Sequence, residues 1–441
     1  MYIGLVAKRG IAMAATLHVL RPQTPPLAGF LRLGHTGHRK LADLHAAGRF
    51  PFKRIVVDAA HFGEQRDLVK TLKAAGCEIV LDPNAAEMAT AGRYGSSSLQ
   101  KLAWSNPDRP WEPSDFGRHR NHDLARAVAL FAIEAGVHAV LAPTHLIEAG
   151  ATAWRAVDLR LCEALRHELD QAGGREIEID YQLITTAAVL KDAKLRDGLA
   201  ADIADLPIAN VWLRVSGFGA TATGAGTRTF VESVRPLHVM ERALIVDMAG
   251  GFAGLATMAH GAVAGISHGV GQKESFKASD WNKPPSGGGG AGARTYVPEL
   301  DRYFKEDQMA AIYAARGRSR FSCNDGSCCP LGAEDMFENA HGHFIRQRHL
   351  QIEDMSGTPE TRRSEQFLLK HLDPAIRSAR FGAKLKIEDQ KVADAVNAAK
   401  VRMIRLRDAL ADLDSKGQPA TRSPATIFRG GTKGISAVLG R

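Results

Sequence analysis

A chain of 441 residues with 45% hydrophobic composition is long enough to bury a large core and to carry an appendage besides. Its formal charge of +9 suits an acidic polymer such as nucleic acid, although many enzymes of small molecules are equally basic. No run of about twenty apolar residues marks a membrane span, and Lys8 and Arg9 break the apolar start with no cleavage site after it, so the sequence points to a cytoplasmic protein without a membrane partner.

Eight short apolar runs alternate with amphipathic stretches of helical length. They are ATLHVL at 15–20, RIVVDAA at 54–60, EIVLDP at 78–83, HAVLAPTH at 138–145, IDYQLITT at 179–186, NVWLRVSG at 210–217, ALIVDMAG at 243–250 and AVAGISHG at 262–269. Near-continuous Val, Ile, Leu and Ala is the pattern of parallel strands buried on both faces, and eight of them predict an α/β fold, a TIM (β/α)8 barrel. A doubly wound open sheet shows the same alternation; the count of eight favours the barrel. Between the runs, QRDLVKTLKAAG, LARAVALFAIEAG, FVESVRPLHVMER and FAGLATMAHGA read as helices, several of them stopping at Gly.

The barrel is expected to occupy residues 1–294 and to end in SDWNKPPSGGGGAGAR, a glycine-rich loop. A zinc-binding segment is expected over 295–355, a helical extension over 356–414, and a disordered basic tail over 415–441 that suits a polyanion.

The sharpest chemical signal is RFSCNDGSCCPLGAEDMFENAHGHFIRQRH at 320–349. Cys323, Cys328 and Cys329 crowd a turn ahead of a helix bearing His341, His343 and His349, which is the donor set of a tetrahedral Cys3His zinc site. Four protein ligands close such a site and make it structural. Both adjacent cysteines can bind only if the backbone turns between them. His343, just before FIRQR, is the first choice of imidazole, ahead of His341 and His349. Cys77 and Cys162 stand alone in apolar or helical surroundings and read as core.

Barrel enzymes keep their chemistry at the carboxyl ends of the strands. The polar residues there are Asp58 and His61, Asp82 with Asn84 and Glu87, Thr144 and His145, Gln182, Ser216, Asp247, and His268. Asp82 and Asp247 each close an apolar strand, and two carboxylates facing one cavity can divide nucleophile and acid–base work in glycosidic bond exchange. A helix cap or loop-ordering residue is the plain alternative for each. GFGATATGAGTRTF at 217–230 opens a helix with glycines and can cradle a phosphate, although it matches no P-loop or dinucleotide fingerprint. His268, Lys273 and Glu274 gather after the last run.

In order and spacing, these features resemble the tRNA-guanine transglycosylase superfamily over roughly residues 15–350. The carriers are an aspartate closing the third strand, a glutamine in the fifth, a glycine-rich end to the sixth and a cysteine-rich segment after the eighth. The resemblance implies exchange of guanine for a 7-deazaguanine through a covalent sugar–aspartate intermediate, with structural Zn2+ and nucleic acid as substrate. It places Asp82 and Gln182 on the base, and Ser216 and Gly217 where the family binds the base through backbone; His145 and His268 join them as substrate-binding candidates. The family's nucleophilic aspartate closes the eighth strand, where this chain has Ser267 and His268, so Asp247 is the nearest replacement. The thiols run Cys-x4-Cys-Cys in place of the family's Cys-x-Cys-x2-Cys. CCP followed by a helix with His and Arg is similar to members that insert 7-deazaguanines into DNA, so tRNA and DNA both stand as substrates, and a homodimer is compatible with either. Two further readings follow from the residues. One is an inactive nucleic-acid-binding subunit, using the tail and the Arg-rich 316–320; the other is an unrelated barrel enzyme for a small phosphorylated or sugar-like molecule.

Overall fold

The structure, a computed structural model, describes residues 26–35, 37–150, 152–271, 273–283 and 294–415. Eight strands make the barrel: β1 (Ala28–Arg32), β2 (Arg54–Asp58), β3 (Glu78–Asp82), β4 (Ala139–Leu141), β5 (Glu178–Thr186), β6 (Asn210–Ser216), β7 (Ala243–Val246) and β8 (Gly265–His268). Each pairs in parallel with the next, and β8 returns to β1 with Ala28 opposite Gly265 and Leu31 opposite His268, so no edge is left open. The fold is the expected TIM barrel. Leu146–Ile147 adds a short outlying strand on β5.

Helices α1 (His38–Ala46), α2 (Phe62–Ala74), α3 (Arg118–Ala135), α4 (Thr152–Gln171), α5 (Ala193–Ala204), α6 (Gly224–Val234) and α7 (Gly251–Ala259) follow the first seven strands. The eighth place is taken by α8 (Ala340–Ser356). Its Ile352 lies against Gly29 of β1, its Phe344 meets His268 of β8, and Ser356 Oγ accepts from Leu27 N at 2.8 Å. The segment between β8 and α8 is therefore an insertion within the eighth βα unit, and the barrel continues past residue 294 to the end of α8. The insertion contains the antiparallel pair β9 (Arg294–Val297) and β10 (Arg302–Lys305). Beyond it, α9 (Asp373–Gly382) and α10 (Gln390–Ser415) form the helical extension, with α10 packed on α6 and α9.

The first strand is AGFLR, not ATLHVL, which lies outside the described residues, as do 284–293 of the glycine-rich loop and 416–441 of the basic tail. No described helix is long and apolar enough to cross a membrane.

Inward and outward side chains alternate along each strand. Phe30, Val56, Val80, Leu141, Trp212 and Ile245 belong to one apolar cluster inside the barrel, with the Phe30 and Trp212 rings edge to face at 4.7 Å. Two residues further along their strands, the inward positions change to Arg32, Asp58, Asp82, Arg214 and Asp247, all buried.

Two glycines of GFGATATGAGTRTF are used for close packing. A Cβ on Gly219 would lie 2.4 Å from Ser275 Cα, and one on Gly224 2.2 Å from the Arg405 carbonyl oxygen of α10. The Gly226 N–H is already taken by the Thr223 cap at 3.0 Å. Part of the run is thus packed against chain, while Gly217, Ala225 and Gly226 stay exposed. Gly224→Ala is expected to cost about 1–3 kcal/mol by overpacking α6 against α10. Gly63→Ala in α2, with nothing within 4 Å of the added methyl, should gain up to about 1 kcal/mol. Urea midpoints for the two variants moving in the same direction would refute that packing.

Candidate functional site: an ionic layer at the barrel mouth

The layer is built around two guanidinium groups. Arg32 closes β1, and its Nε and Nη2 donate to Asp247 Oδ1 and Oδ2 at 2.7 and 2.8 Å, its Nη1 to Asp58 at 3.0 Å and its Nη2 to Asp82 at 2.9 Å. Arg214, inside β6, donates through Nε to Asp247 at 2.9 Å and through Nη2 to Asp82 at 2.6 Å, while its Nη1 stands 3.8 Å from Glu87. Gln182 Nε2 adds a bond to Asp247 Oδ2 at 2.9 Å. Lys273, from the loop after β8, pairs with Asp58. Three cations thus face Asp58, Asp82 and Asp247, with Glu87 as a fourth carboxyl.

These pairings separate the acids. Burial alone would raise Asp82 and Asp247, but the adjacent arginines outweigh it and hold both below the usual carboxylate range. Glu87 goes the other way: burial raises it, Arg214 only partly offsets this, and Asp82 and Asp58 add repulsion. One guanidinium therefore stands between a carboxyl drawn down, Asp82, and a carboxyl pushed up, Glu87. Their access differs from that of Asp247. Asp247 accepts two bonds on Oδ1 and three on Oδ2, whereas Asp82 Oδ1 accepts only the Asn84 N–H at 3.0 Å, and the Glu87 side chain keeps 17% exposure with Oε2 free of any partner. In this arrangement Asp247 anchors both arginines, and Asp82 and Glu87 are the acids with spare lone pairs.

The structure therefore joins Asp82, Asp247 and Gln182 as expected, and adds Arg32 and Arg214, which nothing in the sequence reading singles out. The only signal for them is a charge within an otherwise apolar strand, in AGFLR and NVWLRVS. The other substrate-binding candidates lie elsewhere. His145 is buried against Asp158, Nδ1 to Oδ1 at 2.6 Å, and stacks on Trp154 at 3.7 Å; it shares no hydrogen bond with the layer. Ser216 Oγ accepts from Ala278 N at 3.0 Å and Gly217 N donates to Phe276 O at 2.8 Å, so the backbone donor offered to a base at Gly217 is already engaged. His268 points outward, opposite Leu31, between Phe52 and Phe344, and burial pushes it down to about 3. It is a neutral core histidine; the inward neighbour is Ser267.

The lysine-bearing loop is fixed by Glu274, whose carbonyl accepts from Ala220 N at 2.8 Å and Gly250 N at 3.0 Å. Burial pushes its carboxyl from 4.5 up to about 7 against the opposing Arg348. The folded value lies above the unfolded one, so stability is full below about pH 4.5 and declines as pH rises through about 7, by about 3 kcal/mol in total. Glu274→Gln should flatten that part of the profile, and an unchanged slope in its urea midpoints between pH 5 and 8 would exclude the assignment.

The cysteine segment forms a second centre beside the mouth. Cys323, Cys328, Cys329 and His343 bring their donor atoms within 4.8 Å of one another. Asp325 O accepts both Cys328 N and Cys329 N at 2.9 and 2.8 Å, which is the turn that adjacent ligands require. The two Sγ atoms stand 3.7 Å apart and lie 3.5 and 3.4 Å from His343 Nδ1. Tetrahedral bonds of about 2.3 Å to sulfur and 2.0 Å to nitrogen give separations of about 3.7 and 3.5 Å, so the donors fit a metal of zinc's size. His343 Nε2 donates to Tyr296 O at 3.0 Å, fixing the ring so that Nδ1 faces the thiols. The choice of His343 is supported: His341 lines a small cavity with Arg32 and Lys273, and His349 pairs with Glu353.

No protein-family model matches the chain, and no curated protein matches its sequence. Among solved structures it is similar to a GH10 xylanase from Bispora sp. MEY-1 with xylobiose, at 10% identity and a TM-score of 0.38, covering 55% of this chain and 83% of that one. It is similar to KGPDC from Streptococcus mutans at 13% identity and a TM-score of 0.33, over 58% and 94% of the two chains. For type I 3-dehydroquinate dehydratase from Clostridium difficile the values are 7% and 0.34, over 59% and 91%. The barrel itself is established by the closed ladder of strand pairings.

Proposed function

We propose that the protein is an enzyme of glycosidic bonds that exchanges a guanine base for a 7-deazaguanine in tRNA or DNA, with a structural Zn2+ held by Cys323, Cys328, Cys329 and His343. The observation that carries this reading is the opposite displacement of two carboxyls about one guanidinium at the barrel mouth, Asp82 drawn down and Glu87 pushed up, since glycosidic chemistry divides its work between a readily ionised carboxyl and one that holds its proton more tightly. Asp82 Oδ1 forms the bond to the anomeric carbon as the carbon–base bond breaks, and Glu87 gives its proton to the leaving guanine. The entering base then returns a proton to Glu87, bonds to the same carbon and releases Asp82. Gln182 and Asp247 hold Arg32 and Arg214 so that both acids keep their charge states. The net positive charge favours a polyanionic substrate.

Labelled 7-deazaguanine offered with tRNA and with duplex DNA should enter one polymer, and Asp82→Asn or Glu87→Gln should lower the rate at least about 100-fold. A second reading, an enzyme of a small phosphorylated molecule, is favoured by the small cavity lined by Arg32, Lys273, His341 and three glycines, whose two cations suit a phosphate group. Incorporation into neither polymer, without salt-sensitive binding to either, would reject base exchange in favour of that second reading.

A further inference from the structure

A group outside the ionic layer and outside the thiol centre collects on the rim of the same barrel face. His35 follows β1, His61 ends the turn Ala59–His61 directly after β2, and Glu64 lies in the first turn of α2. Their donor atoms lie within 4.8 Å of one another. The His35 and His61 rings meet edge to face with centroids 4.5 Å apart. His61 and Glu64 are three residues apart at the start of α2, which sets both on one side of the helix. Among the described residues no hydrogen bond or ion pair ties any of the three to another side chain, and His61 Nδ1 is buried with no partner. A buried imidazole nitrogen left without a partner in a polar rim is costly unless something accepts its lone pair or its proton.

We propose that His35, His61 and Glu64 bind a second divalent transition metal, separate from the thiol-bound ion and open to substrate. Two imidazoles and one carboxylate suit Zn2+, Co2+, Fe2+ or Mn2+ and are too nitrogen-rich for Mg2+ or Ca2+. Three protein ligands leave coordination positions free, which distinguishes this site from the closed Cys3His centre. Partly exposed His35 and Glu64 side chains can close from 4.8 Å to the roughly 3.3 Å donor spacing around a bound ion by rotation alone. The charged and titratable groups around His61 are Asp58, His35, Lys273 and Glu64. The open positions lie beside Asp58 and Lys273, at the edge of the ionic layer, where an ion can take a substrate phosphate or hydroxyl oxygen as ligand.

This site does not rest on the base-exchange reading, because metal content reports it directly. The full chain, dialysed to equilibrium against Co2+, should bind two equivalents. One should show the intense thiolate-to-cobalt charge-transfer absorption and the other only weak ligand-field bands. His35→Ala and Glu64→Gln should each weaken the second equivalent at least about tenfold while leaving the thiolate band intact. His35 and Glu64 are exposed, so these variants test the site even if His61→Ala disturbs the turn. A single equivalent in the unmodified protein, or a second one unaffected by both substitutions, would overturn the proposal.

Discussion

Cys329→Ser and His343→Ala should each leave the Cys3His centre empty and lower stability by about 4 kcal/mol when free zinc stands a thousandfold above its Kd for the unmodified protein. Asp325 O gathers the Cys328 and Cys329 amides, the paired thiols approach His343 Nδ1, and His343 Nε2 ties that donor set to Tyr296 of β9. His343 stands in the first turn of α8, so an ion bound there would fix the mouth end of the helix that closes the barrel against β1 and β8. An ion bound only by the native state stabilises by mass action, so a chelator should cost the unmodified protein the same amount and cost the variants nothing. Urea midpoints with and without chelator, beside metal content, read both effects. Cys77→Ala serves as the contrast, since Cys77 is a lone buried thiol and its loss leaves the metal in place. Stoichiometric metal in His343→Ala would move the fourth ligand elsewhere.

The thiol centre was legible in the sequence because its thiols lie within one turn and its histidine on the next helix, close enough for spacing alone to imply geometry. Seven barrel strands were legible for a related reason: buried on both faces, they are apolar over most of their length. That same property hides which face each residue takes. In GISH, pleat parity sends Ser267 inward and His268 out to Phe52 and Phe344, and a strand without polar alternation does not announce that parity. The first strand was misplaced because AGFLR is short, opens with Ala and Gly, and ends in the arginine that organises the mouth, whereas ATLHVL has the stronger apolar pattern. The ionic layer was only half visible. Asp82 and Asp247 stand at strand ends where chemistry is sought and Gln182 lies within β5, but Arg32 and Arg214 join them only through barrel closure, across sequence separations as large as 215 residues.

Arg214→Met should destabilise the protein by about 3–5 kcal/mol at pH 8, because it removes one partner from each of two buried carboxylates and leaves Arg32 to neutralise both. The size of the loss should depend on pH in a defined direction. In the unmodified protein Asp82 and Asp247 lie below their unfolded values, so their contribution is present above about pH 4 and lost as pH falls through the folded values. Without Arg214, burial dominates Asp82 and raises it, so the variant loses stability as pH rises through the new value. The difference between the two proteins should therefore narrow towards pH 5. Adding Asp82→Asn to Arg214→Met should recover part of the loss, and the double-mutant cycle gives the coupling. A cost below about 1 kcal/mol at pH 8, independent of pH, would mean that the layer is solvated and that its acids are not held in separate charge states. One step below it, Phe30, Val56, Val80, Trp212 and Ile245 fill the same barrel with apolar side chains, so closure does not demand charge at this level. A buried ionic layer is often no more stabilising than a well-packed apolar one. What it supplies here, and an apolar layer cannot, is a pair of carboxyls, Asp82 and Glu87, displaced in opposite directions at the carboxyl ends of the strands.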